Sequence, residues 1–333
     1  MKVLITGGAG FIGSHLAERY LELGHKVYVI DDLSTGRTEN ISHLQQSEKY
    51  DGRFFFTHDT IFNDKVLLDL VGICDLVVHL AAAVGVEYIL NNPLSSLKTN
   101  IGGTEKILEL CHRFQKKVLL ASTSEVYGNQ THAPLKETDG CTYGPSTKAR
   151  WSYAASKLLD EFMALGYHRT EGLPVVIVRF FNTVGPKQTG RYGMVIPRLV
   201  DQALKGETLT VYGDGSQSRT FTHVKDVVEA LVQLLETPEA EGEVVNIGGV
   251  EETSILNLAQ RIIKKTDSKS KINLIPYDVA FSKDFEDMQR RVPSTEKLNS
   301  LTGFRTSIKL DEILNDVIED RRSNLSRKLK DQA

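Results

Sequence analysis

Met1-Lys2-Val3-Leu4-Ile5-Thr6-Gly7-Gly8-Ala9-Gly10-Phe11-Ile12-Gly13 is the stretch that decides the fold. A short apolar run breaks into glycines at three-residue spacing, which predicts a strand, a tight turn and the N-terminus of a helix. Glycine lets backbone N–H groups approach a phosphate without an intervening Cβ, and the helix dipole is positive at that end. The stretch therefore predicts a site for the pyrophosphate of a dinucleotide.

A second apolar run, residues 26–30, follows after a helix-length segment and ends in Asp31 and Asp32. An acid about 20 residues beyond the glycine turn is expected to hydrogen-bond the adenosine ribose. Because its carboxylate repels a 2'-phosphate, Asp31 predicts NAD rather than NADP, whereas Arg37 argues the other way. Without the glycines upstream, a strand-end cap would be the better interpretation of Asp31.

Composition excludes several classes of protein. The 333 residues carry a formal net charge of −3, which gives no electrostatic case for binding nucleic acid or an anionic membrane. No apolar run approaches membrane-spanning length and the first residues form a strand rather than a signal peptide, so we expect a soluble, cytoplasmic protein. The 3 cysteines and 9 histidines are not spaced as disulfide pairs or metal ligands, so no metal is expected.

Further short apolar runs at residues 53–56, 75–80, 117–121 and 175–180 are mostly separated by helix-length segments. This alternation predicts an α/β fold, a Rossmann-type doubly wound parallel sheet with helices on both faces. Right-handed crossovers would place the carboxyl ends of the strands along one edge. The residues that follow those ends are therefore candidates for a site.

The alternation fades after residue 181, where loops, short strands and helices follow. We therefore predict an NAD-binding domain over residues 1–181 that includes the helix of Tyr153, and a smaller C-terminal α/β lobe over residues 182–320 that mainly binds the substrate. Residues 321–333 are rich in Lys, Arg, Asp and Ser and are expected to fray.

Tyr153 and Lys157 are four residues apart, one helical turn on the same face. A nearby lysine and the nicotinamide cation would both favour the phenolate, so Tyr153 could remove a hydroxyl proton while the adjacent carbon gives hydride to NAD. Lys157 would tune Tyr153 and hold the nicotinamide ribose. Because Tyr-x-x-x-Lys is common on amphipathic helices, this prediction depends on the glycine turn upstream.

Taken together, these motifs resemble the extended short-chain dehydrogenase/reductases, in the branch that modifies nucleotide-diphosphate sugars. The resemblance runs from Met1 to about Asp320 and also rests on residues 79–82, Asn100, residues 122–128, 182–186 and 210–213, and Arg219. It implies a homodimer built on helices over residues 93–114 and 153–170. It also implies cofactor contacts from Gly7, Gly10, Phe11, Ile12, Gly13, Asp31, Asp32, Asp59, Leu80, Ala81, Ala82, Asn100, Tyr153 and Lys157.

The resemblance also implies the chemistry. In this family a hydroxyl residue at the position of Thr123 hydrogen-bonds the sugar 4-hydroxyl. The resulting 4-keto sugar can be reduced from its other face, lose water, or lose carbon dioxide if carbon 6 is a carboxylate. Glu125 discriminates between these reactions, because simple 4-epimerases usually have a small or apolar residue there, whereas dehydratases and UDP-glucuronate decarboxylases have glutamate. The alternative interpretation of Glu125 is a solvated or salt-bridged acid at a strand end.

Substrate contacts follow from the same resemblance: Thr210 and Tyr212 near the nucleobase, Asn182 at the phosphate–sugar junction, and Arg219 and Arg291 on the diphosphate or a carboxylate. The motifs favour decarboxylation of UDP-glucuronate. Loops at residues 83–88, 147–152 and 185–194 differ from the decarboxylase pattern, so two other reactions stay open. These are 4-epimerisation of a UDP-sugar (UDP-glucuronate, UDP-glucose or UDP-N-acetylglucosamine) and 4,6-dehydration. A non-catalytic dinucleotide sensor is disfavoured because Tyr153, Lys157 and Arg291 are all present.

Overall fold

The computed structural model describes residues 1–190, 194–280 and 288–331. Short apolar runs form strands and the segments between them form helices. The strands are β1 Lys2–Thr6, β2 Lys26–Asp31, β3 Phe54–His58, β4 Leu76–His79, β5 Lys117–Thr123, β6 Val175–Phe180, β7 Thr183–Val184, β8 Leu209–Tyr212, β9 Ser218–Thr220, β10 Thr222–His223, β11 Glu243–Ile247, β12 Glu252–Ser254, β13 Ile272–Ile275 and β14 Arg290–Arg291. The α-helices are α1 Phe11–Glu22, α2 Ser42–Gln45, α3 Asp64–Ile73, α4 Val86–Asn91, α5 Pro93–Arg113, α6 Ser152–Glu171, α7 Val195–Leu204, α8 Val224–Glu236, α9 Ile255–Thr266, α10 Tyr277–Ala280, α11 Glu296–Thr302 and α12 Leu310–Asp331.

Seven strands form one sheet in the order β11-β6-β5-β4-β1-β2-β3, and each neighbouring pair is parallel. This confirms the predicted doubly wound α/β fold. Strand β1 lies between β2 and β4, with Val3 opposite both Val27 and Leu76. The strand order reverses at this point, and ligands of such sheets bind outside the carboxyl ends of the strands there.

Helices cover both faces of this sheet. Val3 and Ile5 of β1 are fully buried in one apolar cluster, which includes Leu16 of α1 and Leu231 of α8. Leu4 points into a second cluster on the opposite face. Because both faces are covered, the strands are nearly continuous in apolar character, which explains why their sequence pattern was easy to recognise.

The second half of the chain contributes to both parts of the molecule. Strand β11 pairs with β6, with Val245 opposite Val178, and α8 packs in the same apolar cluster as α1. The predicted division at residue 181 therefore does not separate the sheet from the lobe, because residues 224–247 return to the sheet. The lobe has its own core, in which Leu199, Leu209, Leu258 and Leu314 are buried together.

The last helix, α12, continues to Asp331, so the segment expected to fray is helical as far as it is described; residues 332 and 333 lie outside the described part. Arg321 fixes the helix to the lobe. Its Nη2 donates to the carbonyl oxygen of Gln188 at 2.6 Å, and its Nε lies 3.5 Å from Oδ1 of Asp201. Across the three described ranges, no helix is both long and apolar enough to cross a membrane.

Candidate active site

The turn between β1 and α1 leaves space that only glycine permits. Gly7 has a φ of +69°, and a Cβ there would lie 2.8 Å from the Ala81 nitrogen. A Cβ on Gly13 would lie 2.4 Å from the Gly7 carbonyl oxygen. The α1 helix starts after Gly10 without a side-chain cap or an acidic residue in its first turn, and Phe11 and Ile12 are its first residues. These features fit the pyrophosphate of a dinucleotide, because the first N–H groups of the helix are left for an anion.

Asp31 lies at the carboxyl end of β2 and faces this turn. Its Oδ2 accepts a hydrogen bond from the Ala9 nitrogen at 2.9 Å and its Oδ1 accepts one from the Leu33 nitrogen at 2.8 Å. Burial raises the pKa of Asp31, although these backbone N–H groups oppose the shift. Arg37 is directed away, since its Nη2 donates to the Thr189 hydroxyl at 3.2 Å. The arrangement fits an adenosine ribose better than a 2'-phosphate.

The other predicted cofactor residues border the same edge of the sheet. Asn100 makes two hydrogen bonds to the backbone of Ala83, at 2.7 and 3.2 Å, and so fixes the loop that follows Leu80, Ala81 and Ala82. The side chains of two acids are engaged locally. Asp32 accepts from the Ser34 nitrogen at 2.9 Å, and Asp59 accepts from the Thr60 nitrogen at 2.7 Å and from Asn63 at 2.8 Å.

Tyr153 lies in the first turn of α6 and is hydrogen-bonded to Thr123 at the end of β5. Burial raises the pKa of the phenol, and the carboxylates of Glu125 and Asp160 raise it further, whereas the hydrogen bond from Thr123 and the charge of Arg150 lower it. The two residues predicted to act on one sugar hydroxyl are therefore adjacent. Without ligands the phenol is neutral, so a proton-accepting role depends on cations brought by the bound molecules.

Lys157 lies one turn further along α6, where Asp160 binds its ammonium group. The Nζ of Lys157 donates to Oδ2 of Asp160 at 2.8 Å, and both side chains are almost completely buried. The positive charge of Lys157 also adds to burial in lowering the pKa of His79 to about 3. The neutral His79 ring is hydrogen-bonded to the Thr6 hydroxyl at 2.8 Å. The charge of Lys157 on α6 therefore acts on a residue that contacts the last residue of β1, directly before the glycine turn.

Glu125 lies between two guanidinium groups. Its Oε2 accepts from Nη1 of Arg150, and its Oε1 lies 3.3 Å from Nη1 of Arg291. Burial opposes ionisation, but Arg150 and Arg291 outweigh it and lower the pKa of Glu125 to about 2. Glu125 is thus a salt-bridged carboxylate, which was the alternative interpretation of this residue, and it is also next to Tyr153.

Arg291 reaches this cluster from the C-terminal lobe. It lies on β14, in register with Arg219 of β9, and its Nη2 donates to Oδ1 of Asn182 at 2.8 Å. Asn182 in turn donates its Nδ2 to the Thr220 carbonyl oxygen at 2.8 Å. Arg219 is buried, and its Nη1 donates to the Ser218 carbonyl oxygen at 2.8 Å. The structure therefore brings Asn182 and Arg291 together beside Glu125.

Thr210 and Tyr212 lie on β8, at the end of the lobe predicted to hold the nucleobase. Arg198 of α7 contacts both: its Nη1 donates to the Thr210 hydroxyl, and its guanidinium carbon lies 4.6 Å from the centre of the Tyr212 ring. Gln202 adds a hydrogen bond to the Thr210 nitrogen at 3.1 Å. Burial lowers the pKa of Arg198.

Sequence reasoning did not select Arg150, Asp160 or Arg198 as site residues. Asp160 could have been found, because an acid three residues after a lysine lies on the same helical face. The other two are joined to their partners across 25 and 12 residues of sequence respectively, so no spacing rule identifies them. Within the loop 185–194 expected to border the sugar, residues 191–193 lie outside the described residues.

Comparisons with known proteins show which family the chain resembles over nearly its whole length. The family model described as GDP-mannose 4,6 dehydratase matches residues 4–317. The chain is 40% identical over 319 residues to a UDP-N-acetyl-alpha-D-glucosaminuronate decarboxylase of Bacillus cytotoxicus, with 96% of this chain and 97% of that protein covered. It is 37% identical over 332 residues to UDP-glucuronic acid decarboxylase 1 of Danio rerio, with 100% of this chain and 74% of that protein covered.

A solved structure extends the comparison to a third activity. The crystal structure of UDP-glucuronic acid 4-epimerase from Bacillus cereus, in complex with UDP-glucuronic acid and NAD, superposes with a TM-score of 0.85 at 31% identity. The superposition covers 97% of this chain and 99% of that one.

Proposed function

The chain belongs to the family described as GDP-mannose 4,6 dehydratase, within the extended short-chain dehydrogenases/reductases, and from this membership we propose that it is an NAD-dependent decarboxylase of a UDP-linked uronic acid. UDP-glucuronate is the substrate we favour, and its N-acetylated analogue belongs to the same chemical class. The predicted resemblance to this family is confirmed by the family model and by the curated relatives. The reaction and the roles of individual residues are the proposal.

The observation that supports a uronic acid most is the cluster of Glu125, Arg150 and Arg291 beside Tyr153. Two guanidinium groups bind one carboxylate in a largely buried place, since the three side chains are between 9% and 16% exposed. A uronic acid carries one more negative charge than a neutral sugar, and Arg291 is placed to bind that charge. Arginine suits this task because its guanidinium binds a carboxylate in two-point fashion.

Each of these residues has its own role in the proposed oxidation at carbon 4. The glycine turn and Asp31 would hold NAD, which would supply the hydride acceptor for oxidation at carbon 4 of the sugar. Tyr153 takes the proton of the 4-hydroxyl, with Thr123 hydrogen-bonded to the same oxygen. Lys157 would hold the nicotinamide ribose, and the nicotinamide cation would favour the phenolate. Arg291 binds the carboxylate at carbon 6 and orients it.

Carbon dioxide loss then follows from the position of the carboxylate relative to the ketone. The bond between carbons 5 and 6 breaks and its electron pair moves to the oxygen on carbon 4, where Tyr153 and Thr123 donate hydrogen bonds to the developing enolate. A proton from solvent water, added at carbon 5, restores the ketone. Glu125, close to Tyr153, stays ion-paired with Arg150 during these steps.

A second candidate is 4-epimerisation of UDP-glucuronate. It is favoured by the likeness to the Bacillus cereus epimerase over nearly the full length of both chains. The same cluster would then hold the carboxylate without its loss. Dehydration is the third possibility and has no uronic acid requirement.

The product separates these reactions. The purified protein is incubated with NAD and, separately, with UDP-glucuronate, UDP-N-acetylglucosaminuronate and UDP-glucose, and each product is analysed by mass spectrometry and proton NMR. We expect loss of carbon dioxide from a uronic acid and no conversion of UDP-glucose. An unchanged mass with inverted coupling at carbon 4 favours the epimerase, and loss of water favours the dehydratase.

We propose in addition a cytoplasmic homodimer. Support for the dimer comes from α5 and α6, which pack against each other and expose Leu94 and Phe162 to 65% each. Sedimentation of the purified protein tests it, and a monomer at micromolar concentration would contradict it.

A further inference from the structure

Arg150 is the residue of this cluster for which neither the sequence motifs nor the proposed reaction supplied a role. It lies in the turn Ala149–Trp151 directly before α6, three residues from Tyr153, and it is 8% exposed. Its Nη1 is bound to Oε2 of Glu125. Arg291, which binds the other oxygen, comes from β14 in the lobe. The Glu125 carboxylate is therefore held from the Tyr153 side by one arginine and from the lobe side by the other.

The two contacts differ in how readily they can be exchanged. The separation of 3.3 Å between Arg291 and Glu125 is longer than a typical charge-assisted hydrogen bond, which is about 2.7–2.9 Å. Arg291 also has a second partner, Asn182, at 2.8 Å. An incoming carboxylate could therefore take the place of Glu125 on Arg291 while Asn182 keeps the guanidinium oriented. Arg150 would still neutralise Glu125.

We propose that Arg150 is a positioning residue that sets the preference for a uronic acid: it retains Glu125, so that Arg291 is left for the carboxylate of the substrate. This inference rests on the proposed function. Without Arg150, Glu125 and the substrate carboxylate would share a single arginine. Two carboxylates with one cation in a largely buried site repel each other and bind weakly.

The binding of a neutral sugar should depend less on Arg150. It brings no second carboxylate, so Glu125 can stay on Arg291 and the loss of Arg150 costs little binding. If Arg150 had only a structural role, its loss would affect the binding of both ligands. Arg150 also lies over the Trp151 ring, with its guanidinium carbon 5.7 Å from the ring centre, and loss of such packing would weaken both ligands alike. The ratio of the two affinities therefore separates specificity from structure.

The experiment compares wild type with Arg150→Met, Arg150→Lys and the control Arg169→Met, which removes an exposed arginine from α6. Dissociation constants for UDP-glucuronate and UDP-glucose are measured by calorimetry with NADH in place of NAD, so that the ligand is not oxidised during the titration. We expect Arg150→Met to weaken the binding of UDP-glucuronate at least about tenfold and the binding of UDP-glucose less than about twofold. Arg150→Lys should keep most of the wild-type affinity for UDP-glucuronate, since it keeps the charge. Arg169→Met should change neither dissociation constant.

If Arg150→Met weakens the binding of both ligands equally, or the binding of neither, the proposal is overturned. Arg150→Lys keeps the test valid if the methionine variant does not fold. The wild-type product is identified by mass in the same series. If wild type releases no carbon dioxide, the proposed function fails, while the ratio of the dissociation constants still decides the role of Arg150.

Discussion

Lys157 and Asp160 form an ion pair on α6, with 2.8 Å between Nζ and Oδ2, and their side chains are 4% and 0% exposed. Removal of one member would leave a buried charge without its partner. We therefore expect Asp160→Asn to lower the free energy of unfolding by about 3–5 kcal/mol. Urea denaturation measures this, with Asp69→Asn, an exposed acid on α3, as the control. Equal stability of wild type and Asp160→Asn would show that the pair contributes nothing.

Tyr153→Phe tests the assignment of the proton acceptor. Loss of the phenol removes general base catalysis, so product formation should fall by about 10²–10⁴-fold. The affinity for NAD should stay within twofold, because phenylalanine keeps the ring. Steady-state kinetics and calorimetry provide the two values, and a rate within tenfold of wild type would rule out this role for Tyr153.

The ion pairs of Glu125 make stability depend on pH. The pKa of Glu125 is lowered from 4.5 to about 2, so its contribution is fully present above pH 4.5 and is lost as the pH falls towards 2. Glu125→Gln should therefore be less stable than wild type at pH 7, and this difference should shrink below pH 4.5. Urea unfolding at a series of pH values tests the prediction. A difference that stays constant from pH 7 to pH 3 would argue against the salt-bridged state.

Gly13→Ala tests the fit of the glycine turn. The added Cβ would lie 2.4 Å from the Gly7 carbonyl oxygen, and backbone cannot move aside as a flexible side chain can. We expect a loss of about 1–3 kcal/mol in stability and a dissociation constant for NAD raised at least about tenfold. Gly140→Ala is the control, because its Cβ would meet no atom within 4 Å. Unchanged NAD binding in Gly13→Ala would exclude the turn as the pyrophosphate site.

Arg198→Met tests the nucleobase end of the site. Arg198 holds the Thr210 hydroxyl and stacks on Tyr212, so its loss should loosen the surface on which the base is expected to lie. A stacked cation contributes about 0.5–2 kcal/mol, which corresponds to a rise of about 2- to 30-fold in the dissociation constant for UDP. Calorimetry with UDP measures it, and Lys205→Met, an exposed cation just after α7, is the control. Equal constants for both variants would remove Arg198 from the site.

The sequence could predict the sheet because its strands are buried on both faces and are separated by helices. Strands β1, β2, β4, β5 and β6 follow that pattern, whereas β3 lies at the edge of the sheet and is only partly buried. Strand β11 was not assigned to the sheet, since a run of five residues inside the lobe segment shows no sign that it pairs with β6. That pairing depends on tertiary packing, which periodicity does not record.

The candidate site divides in the same way. Thr123, Tyr153 and Lys157 are identified by motifs that lie within one strand end or one helical turn. Glu125 and Arg291 were each assigned to the site only by family resemblance. The two residues that make this contact are 166 positions apart in the sequence. Arg150 was overlooked because an arginine before a helix has many ordinary roles, and only the folded chain places it on Glu125.

The release of labelled carbon dioxide tests the central claim most directly. UDP-glucuronate labelled with ¹³C at carbon 6 is incubated with the protein and NAD, and the gas and the remaining nucleotide sugar are both quantified by mass spectrometry. Decarboxylation predicts one labelled carbon dioxide for each UDP-sugar consumed and a UDP-linked product without label. Retention of the label in a UDP-sugar of unchanged mass would contradict decarboxylation, and an inverted coupling at carbon 4 in its proton NMR spectrum would identify the chain as an epimerase acting on the same substrate.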